Sequence, residues 1–427
     1  MRKVYLSIFG FSLLCGLSGY AQIRQDSSAS KPTYVVSDTS KQDSTQYNPR
    51  RLKLDEIDFV SSYYSQNGDH SAVTGGIGTE KVTDIANGIT MNFLWENHNL
   101  NKNTLAVGLG FDAHTAASQA YINKTGASST NGTRIYPSVD WTVENEKTQN
   151  TFGLGAYYSG EYNYQSIGGD AHFSIKTDNK NGEFSAKLQG YFDQVTLIYP
   201  SEFNPMLTNV NNSYGGDGHH NSGNDDDNGS SPRETYSASL GYTQIIDPSL
   251  QIAFLADVVA QNGYLSLPFH RVYFSNGKDT IEKLPSSRYK LPVGFRLNYF
   301  MGDNIVFRTY YRYYLDNWGI RSNTANLEIS YKVSPFFSIS PFYRFYNQSA
   351  ARYFAPYEEH SPTDEYYTSN YEYAKFNSQF FGVGFRVAPP NGVFGWQHLH
   401  ELEIRYGHYT QTTNLVSNVI SLSLGFK

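Results

Sequence analysis

Two adjacent histidines, His219 and His220, lie in the longest polar segment of the sequence and are followed closely by Asp225. Imidazole and carboxylate groups are ligands for divalent cations, so this combination could hold a metal ion. The surrounding residues are mostly Gly, Asn and Asp, a composition typical of a solvated loop. An acidic loop without a metal is the preferred interpretation, and a metal site at these residues is the alternative.

No arrangement typical of a catalytic centre stands out. The sequence contains no HExxH motif, no phosphate-binding loop, and no Ser-His-Asp order with a nucleophile elbow. The glycine-rich run at 75–80 is not followed by the helix that a nucleotide site needs. We therefore predict that the protein is not an enzyme.

Charged side chains instead form two groups along the chain. Among residues that alternate with apolar ones, acids predominate before residue 196 and bases predominate after it. The sequence therefore predicts an acidic and a basic wall on one polar surface. Candidates for the acidic wall are Asp112, Asp140, Glu144 and Asp170, and candidates for the basic wall are Arg296, Arg308, Arg312 and Arg344.

In the segments that carry these charges, apolar and polar residues alternate with a period of two. In the segment 104–114, Leu105, Val107 and Leu109 point one way while Ala106 and Gly108 point the other. Such alternation is typical of a strand that is apolar on one face. Sixteen segments of this kind are predicted, at 54–64, 83–96, 103–115, 134–145, 151–164, 165–177, 183–195, 233–246, 250–262, 287–300, 305–316, 322–333, 336–348, 373–388, 397–410 and 414–427.

Short turns alternate with long polar loops between these segments, as in outer-membrane barrels. A soluble all-β protein with one buried face is the alternative, but such a protein rarely needs so many strands. We predict an all-β fold, a transmembrane antiparallel up-and-down β-barrel of about 16 strands, of the outer-membrane type. Its lumen is either an open channel with a transverse field or is closed by pairing between the two walls.

Composition excludes several other classes of protein. The 427 residues carry a formal net charge of −6, and 16% of them are aromatic. Mean hydropathy is −0.50, and no apolar run reaches the roughly 18 residues of a membrane-spanning helix. A helical membrane protein and a basic nucleic-acid-binding protein are therefore both disfavoured.

The first residues have the pattern of an export signal. Arg2 and Lys3 precede an apolar stretch at 4–17, and Ala21 completes a small-x-small cleavage pattern. We predict a signal peptide at 1–21, a disordered periplasmic tether at 22–52 and the barrel at 53–427. The only cysteine lies within the signal peptide, so the mature chain has no disulfide or thiolate chemistry.

Three motifs resemble an uncharacterised outer-membrane family of Bacteroidota, domain of unknown function 3570. They lie at 62–64 with 68–80, at 263–266 with 268–273, and at 312–314 with 316–319. The resemblance implies a β-barrel in the bacterial outer membrane and no established activity. It also implies a redox partnership, because such genes often neighbour those for a small lipoprotein, a thioredoxin-like protein and a flavin transferase.

Because the resemblance implies a link to a flavin transferase, residues 125–128, which end at Ser128, are a candidate flavin attachment site. They resemble the site at which flavin transferases attach FMN to a hydroxyl group, although the acidic residue upstream is missing. A polar loop without cofactor is the preferred interpretation, and covalent FMN at Ser128 is the alternative.

The sequence thus predicts an outer-membrane, porin-like or partner-gated conduit for polar solutes, embedded in lipid, with no nucleic-acid partner. The alternative is a non-conducting barrel that holds a small lipoprotein or a periplasmic redox partner linked to flavin or thioredoxin. An outer-membrane hydrolase is disfavoured, since no nucleophile and base can be paired by motif.

Overall fold

The computed structural model describes residues 51–115, 132–161, 164–200, 203 and 229–427. The predicted signal peptide at 1–21 lies outside these residues, as does the predicted tether at 22–52 except for its last two positions. Ser128, His219, His220 and Asp225 also lie outside them. No helix within the described ranges is long and apolar enough to cross a membrane.

Strands make up most of the described chain. They are β1 (Lys53–Asn67), β2 (Val82–Glu96), β3 (Lys102–His114), β4 (Gly132–Asn145), β5 (Asn150–Glu161), β6 (Tyr164–Lys176), β7 (Gly182–Thr196), β8 (Ser230–Asp247), β9 (Leu250–Gly263), β10 (Arg271–Tyr273), β11 (Asp279–Ile281), β12 (Ser287–Met301), β13 (Ile305–Asp316), β14 (Arg321–Ser334), β15 (Phe337–Gln348), β16 (Phe376–Val387), β17 (Leu399–Gln411) and β18 (Leu415–Phe426). Three short 3-10 helices of the described chain lie at Ala72–Thr74, Tyr371–Tyr373 and Val393–Gly395.

Sixteen of these strands close into one antiparallel barrel, and β10 and β11 form a separate hairpin. Each barrel strand pairs with its neighbour along the chain, β9 pairs with β12 past the hairpin, and β1 pairs with β18. The register of the closing pair sets Tyr63 opposite Ile420. The predicted fold class is confirmed, and the sixteen predicted segments match the barrel strands to within a few residues.

The hairpin β10–β11 lies between the predicted segments 250–262 and 287–300, where alternation predicts no strand. Its strands have three residues each, too few for alternation to be recognised. The local signal was Asn276-Gly277, a dipeptide that favours tight hairpin turns, and Gly277 has a φ of 78°.

Apolar side chains cover the outside of the barrel, and polar side chains cover the inside. On β7, Leu188 and Phe192 are 64% and 53% exposed, whereas the neighbouring Asp193 is 5% exposed. This is the reverse of a water-soluble protein, whose large apolar side chains are mostly buried. The described strands therefore have the surface of a barrel that lies in lipid, and the soluble alternative does not account for it.

The two ends of the barrel differ. One end, which we call the turn end, carries mostly short connections, such as those between β8 and β9 and between β12 and β13, and both ends of the barrel sequence. The other end, the loop end, carries a few short connections, such as that between β13 and β14, as well as most of the long ones. Three of them, 68–81, 264–286 and 349–375, contact one another, and we call these three segments the loop cap.

A charge on the outer face should destabilise the barrel more than the same charge inside it. Leu188→Arg places a guanidinium at mid-strand on the apolar surface, and we expect the free energy of unfolding to fall by about 2–4 kcal/mol. Urea unfolding in phosphatidylcholine bilayers, followed by tryptophan fluorescence, measures this change. Gln189→Arg is the matched control on the polar face, and an equal loss in both variants would contradict the assignment of the two faces.

Candidate functional site

The interior of the barrel brings the predicted charged residues onto two facing walls. In the ring of sixteen strands, β5 lies eight strands from β15, so the surface around β3–β6 faces that around β13–β16. The acidic candidates lie on β3, β4 and β6, and the basic candidates lie on β12, β13 and β15. The topology therefore places the two predicted groups on different sides of the lumen.

A compact polar cluster occupies the acidic wall at mid-height. It consists of Asp140 on β4 and of Asp170 and His172 on β6. The Nδ1 atom of His172 lies 2.9 Å from Asp170 Oδ1 and 3.9 Å from Asp140 Oδ2. One ligand-type atom from each of the three side chains lies within 4.8 Å of the other two. Two carboxylates and an imidazole thus converge on one small volume.

The cluster exists because the strand between β4 and β6 has no side chains at the corresponding places. Strands two apart in a sheet are separated by about 9.6 Å. Their side chains can meet across this distance only if the strand between them leaves the space empty. On β5, Gly153 and Gly155 supply that gap. A Cβ atom added at Gly153 would lie 2.1 Å from His172 Nε2, and one at Gly155 would lie 2.1 Å from Asp170 Oδ2.

Neighbouring groups hold the outer atoms of the cluster. Asp170 Oδ2 accepts a hydrogen bond from the hydroxyl of Tyr157 and lies 3.3 Å from the ammonium of Lys187. The Thr142 hydroxyl donates to Asp140 Oδ1 over 3.0 Å and lies 3.2 Å from His172 Nε2. The Asp170 side chain is fully buried, whereas that of Asp140 is 32% exposed.

Thr142, His172 and Asp170 lie next to one another in the order of the nucleophile, base and orienting acid of a catalytic triad. The hydroxyl of Thr142, however, donates its proton to Asp140 rather than directing it toward the imidazole. This arrangement favours a polar binding cluster over a hydrolytic centre.

The other acidic candidates have cationic neighbours on the same wall. Asp112 Oδ2 lies 2.7 Å from Arg134 on the adjacent strand, and both side chains are buried. Glu144 lies 2.8 Å from Lys176, and both of these side chains are about one-third exposed. The acidic wall therefore has a closed ion pair near the loop end and a more accessible one near the turn end.

The basic wall has a similar arrangement around Glu328 on β14. Arg308 Nη1 lies 2.7 Å from Glu328 Oε1, and Arg405 on β17 reaches the other oxygen over 2.5 Å. The Arg308 side chain is 40% exposed, while that of Glu328 is 8% exposed. Arg308 therefore presents positive charge to the lumen even though it is paired.

The remaining basic candidates occupy neighbouring rows of the sheet. Arg296 pairs in register with Tyr310, which pairs with Asn326, which pairs with Arg344. Arg312 lies on β13, two residues further toward the loop end. The four predicted arginines thus lie on one continuous polar surface. Their positions in the sequence do not indicate how close they lie to one another.

The loop cap is held by a buried carboxylate. Glu282, which is 2% exposed, accepts hydrogen bonds from the backbone of Leu267 over 2.8 Å and from the hydroxyl of Thr368 over 2.6 Å. His270 Nδ1 lies 3.4 Å from its Oε2 atom. Arg271 extends the network to the third segment by donating to the Val73 carbonyl over 2.7 Å. One carboxylate therefore ties two cap segments together.

Aromatic rings complete the cap. Trp318, in the turn between β13 and β14, is 1% exposed and packs edge-on against Tyr353 and Tyr373. His70 stacks on Tyr371 with ring centroids 3.7 Å apart. Burial raises the pKa of Tyr371, and the negative charge of Glu359 raises it further, so the ring stays neutral. The motifs at 68–80, 263–273 and 312–319 therefore meet at the loop cap.

Sequence interpretation missed one member of the cluster on the acidic wall, His172, and two residues that hold the cluster, Thr142 and Tyr157. A usable signal was present, because Asp-x-Thr on β4 and Asp-x-His on β6 both place two polar side chains inward. The intervening Gly-Leu-Gly on β5 leaves space between them. The weaker histidine candidates at 219 and 220 lie outside the described residues.

The chain belongs to the family described as protein of unknown function (DUF3570), whose profile matches residues 33–418. No curated protein is detectably similar in sequence.

Solved structures with a similar outline include OpdK of Pseudomonas aeruginosa, with 8% identity, a TM-score of 0.39, and coverage of 87% of this chain and 98% of that one. OccK2 (OpdF) of P. aeruginosa, in complex with glucuronate, has 8% identity, a TM-score of 0.40, and coverage of 87% and 97%. A BenF-like porin from Pseudomonas fluorescens has 6% identity, a TM-score of 0.40, and coverage of 87% and 98%. At these values the likeness gives no information about what this chain binds or conducts.

Removing the buried carboxylate should loosen the loop cap and leave the barrel intact. In Glu282→Ala, the Leu267 amide and the Thr368 hydroxyl lose their acceptor, at a cost of about 1–3 kcal/mol for each buried group. We expect trypsin to cleave after Arg271 and Lys283 faster than in the unmodified protein, as measured by mass spectrometry of timed digests.

Glu358→Ala, at an exposed position of the same cap, is the control for this experiment. Equal cleavage rates in the two variants would show that the Glu282 network does not hold the cap.

Proposed function

We propose that this protein is an outer-membrane channel that conducts polar solutes through its charged lumen. The observation that carries the proposal is the pair of facing walls, acidic around β3–β6 and basic around β13–β16, inside a closed barrel. Barrels of 16 to 18 strands are wide enough to leave an aqueous channel. The apolar outer surface supports placement of the strands in a lipid bilayer.

The accessible charges explain how the lumen would act on a solute. On the acidic wall the side chains of Asp140 and Glu144 are each 32% exposed, and on the basic wall that of Arg308 is 40% exposed. Opposite charges on facing walls produce a field across the channel rather than along it. Such a field orients solutes that carry both a positive and a negative group and lets them exchange contacts along the wall.

The loop cap is the element through which entry would be controlled. It is built from three connections at one end of the barrel, and its buried network lies outside the barrel strands. A partner that contacts these segments could alter access to the lumen without changing the barrel itself. A small lipoprotein or a periplasmic redox protein, and FMN attached at Ser128, remain predictions from the sequence.

Single-channel recording in planar bilayers tests the proposal. We expect the purified barrel to give steady conductance steps whose ion selectivity depends on both walls. The double variant Arg308→Gln/Arg312→Gln removes positive charge and should shift the reversal potential in a salt gradient toward cation preference. The double variant Asp140→Asn/Glu144→Gln should shift it in the opposite direction.

Heat-modifiable migration in gels confirms that each variant is folded before recording. A folded barrel without conductance would contradict the channel and favour a non-conducting scaffold. Conductance with unchanged selectivity in both double variants would show that the charged walls do not face the conducting path.

A further inference from the structure

We propose that Asp140, Asp170 and His172 form a binding site for a divalent transition-metal ion, with Zn²⁺ as the best match, on the acidic wall of the lumen. The ligand atoms would be Asp140 Oδ2, Asp170 Oδ1 and His172 Nδ1. This inference rests on the geometry of the cluster and does not require the barrel to conduct.

The spacing of these atoms suits a small cation. Zinc binds carboxylate oxygen and imidazole nitrogen at about 2.0–2.2 Å, which places neighbouring ligands of a tetrahedral site about 3.4 Å apart. The two distances from His172 Nδ1, 2.9 Å to Asp170 and 3.9 Å to Asp140, lie on either side of that value. One ligand-type atom from each side chain lies within 4.8 Å of the other two, so the three side chains are already close to the spacing of a zinc site.

Each proposed ligand is held through its other polar atom. Tyr157 and Lys187 engage Asp170 Oδ2, which leaves Oδ1 turned toward the cluster. Thr142 donates to Asp140 Oδ1, which leaves Oδ2 available. Supporting hydrogen bonds of this kind orient the ligands of metal sites and raise their affinity.

Thr142 also explains how the imidazole could present an unprotonated Nδ1 atom. Its hydroxyl oxygen lies 3.2 Å from His172 Nε2 and can accept a hydrogen bond there while donating to Asp140. The neutral tautomer with its proton on Nε2 then has a lone pair on Nδ1. Without a metal, a neutral ring carries its proton on Nδ1, where it faces Asp170 Oδ1 at 2.9 Å, so metal binding moves the proton from Nδ1 to Nε2 and releases none.

Charge also favours a cation at this position. Lys187 compensates the negative charge of Asp170. Among the ion pairs of the described residues, Asp140 has only the imidazole of His172 as its partner, at 3.9 Å. The cluster therefore carries an excess negative charge beside the lumen. The partial exposure of Asp140 and His172, 32% and 23%, allows an ion to enter from the lumen and allows water or a solute group to complete its coordination.

Calorimetric titration of the complete mature barrel in detergent micelles with ZnCl₂ tests the site. We expect one saturable site in the unmodified protein and an affinity at least 10-fold lower in His172→Asn and in Asp140→Asn. Thr142→Val keeps all three ligands but removes their shared support, and we expect a 10–100-fold loss. His408→Asn changes a histidine on β17 that contacts Asn418 and should bind like the unmodified protein.

Gly153→Ala gives a second, independent test, because its methyl group would displace the His172 ring without removing a ligand. Far-ultraviolet circular dichroism and heat-modifiable migration select folded variants. Absence of saturable binding in the unmodified barrel would overturn the proposal. Binding that persists unchanged in His172→Asn and Asp140→Asn would also overturn it, because the zinc would then lie elsewhere on the chain.

Discussion

The antiparallel pairing of β1 with β18 is the interaction on which the rest of the structure depends, because it removes both edges of the sheet. A sheet edge in lipid leaves amide and carbonyl groups without hydrogen-bond partners, and each such group costs several kcal/mol. Once the ring is closed, every barrel strand has two neighbours. The side chains are then free to differ completely between the two faces, with apolar groups outside and charges inside.

Closure also decides which charges can meet. Residues near the two ends of the barrel sequence, such as Glu56 on β1 and His400 on β17, come within 3.1 Å only because β1 pairs with β18. By contrast, β5 and β15 are held on opposite sides. Local pairing lowers the cost of placing charges in the interior, while the different composition of the two walls leaves a field between them.

Most of the fold was predictable because alternation is a local property with a fixed period. Ten residues around Leu109 are enough to identify a strand and to divide its two faces, and the same holds for each barrel strand. The hairpin at 271–281 and the loop cap were not predictable in this way. Their stability comes from contacts such as Glu282 with Thr368, between residues that no short sequence pattern connects.

The cluster at Asp140, Asp170 and His172 shows the same limit at the level of a site. The sequence predicts that both carboxylates face the polar side, but their approach depends on β4 and β6 being separated by one strand with glycines at the inward positions. Neither glycine is at a turn or has an unusual backbone angle, so their role cannot be recognised from the backbone conformation of β5. It follows from the space that they leave, and this space allows side chains from three strands to act as one site.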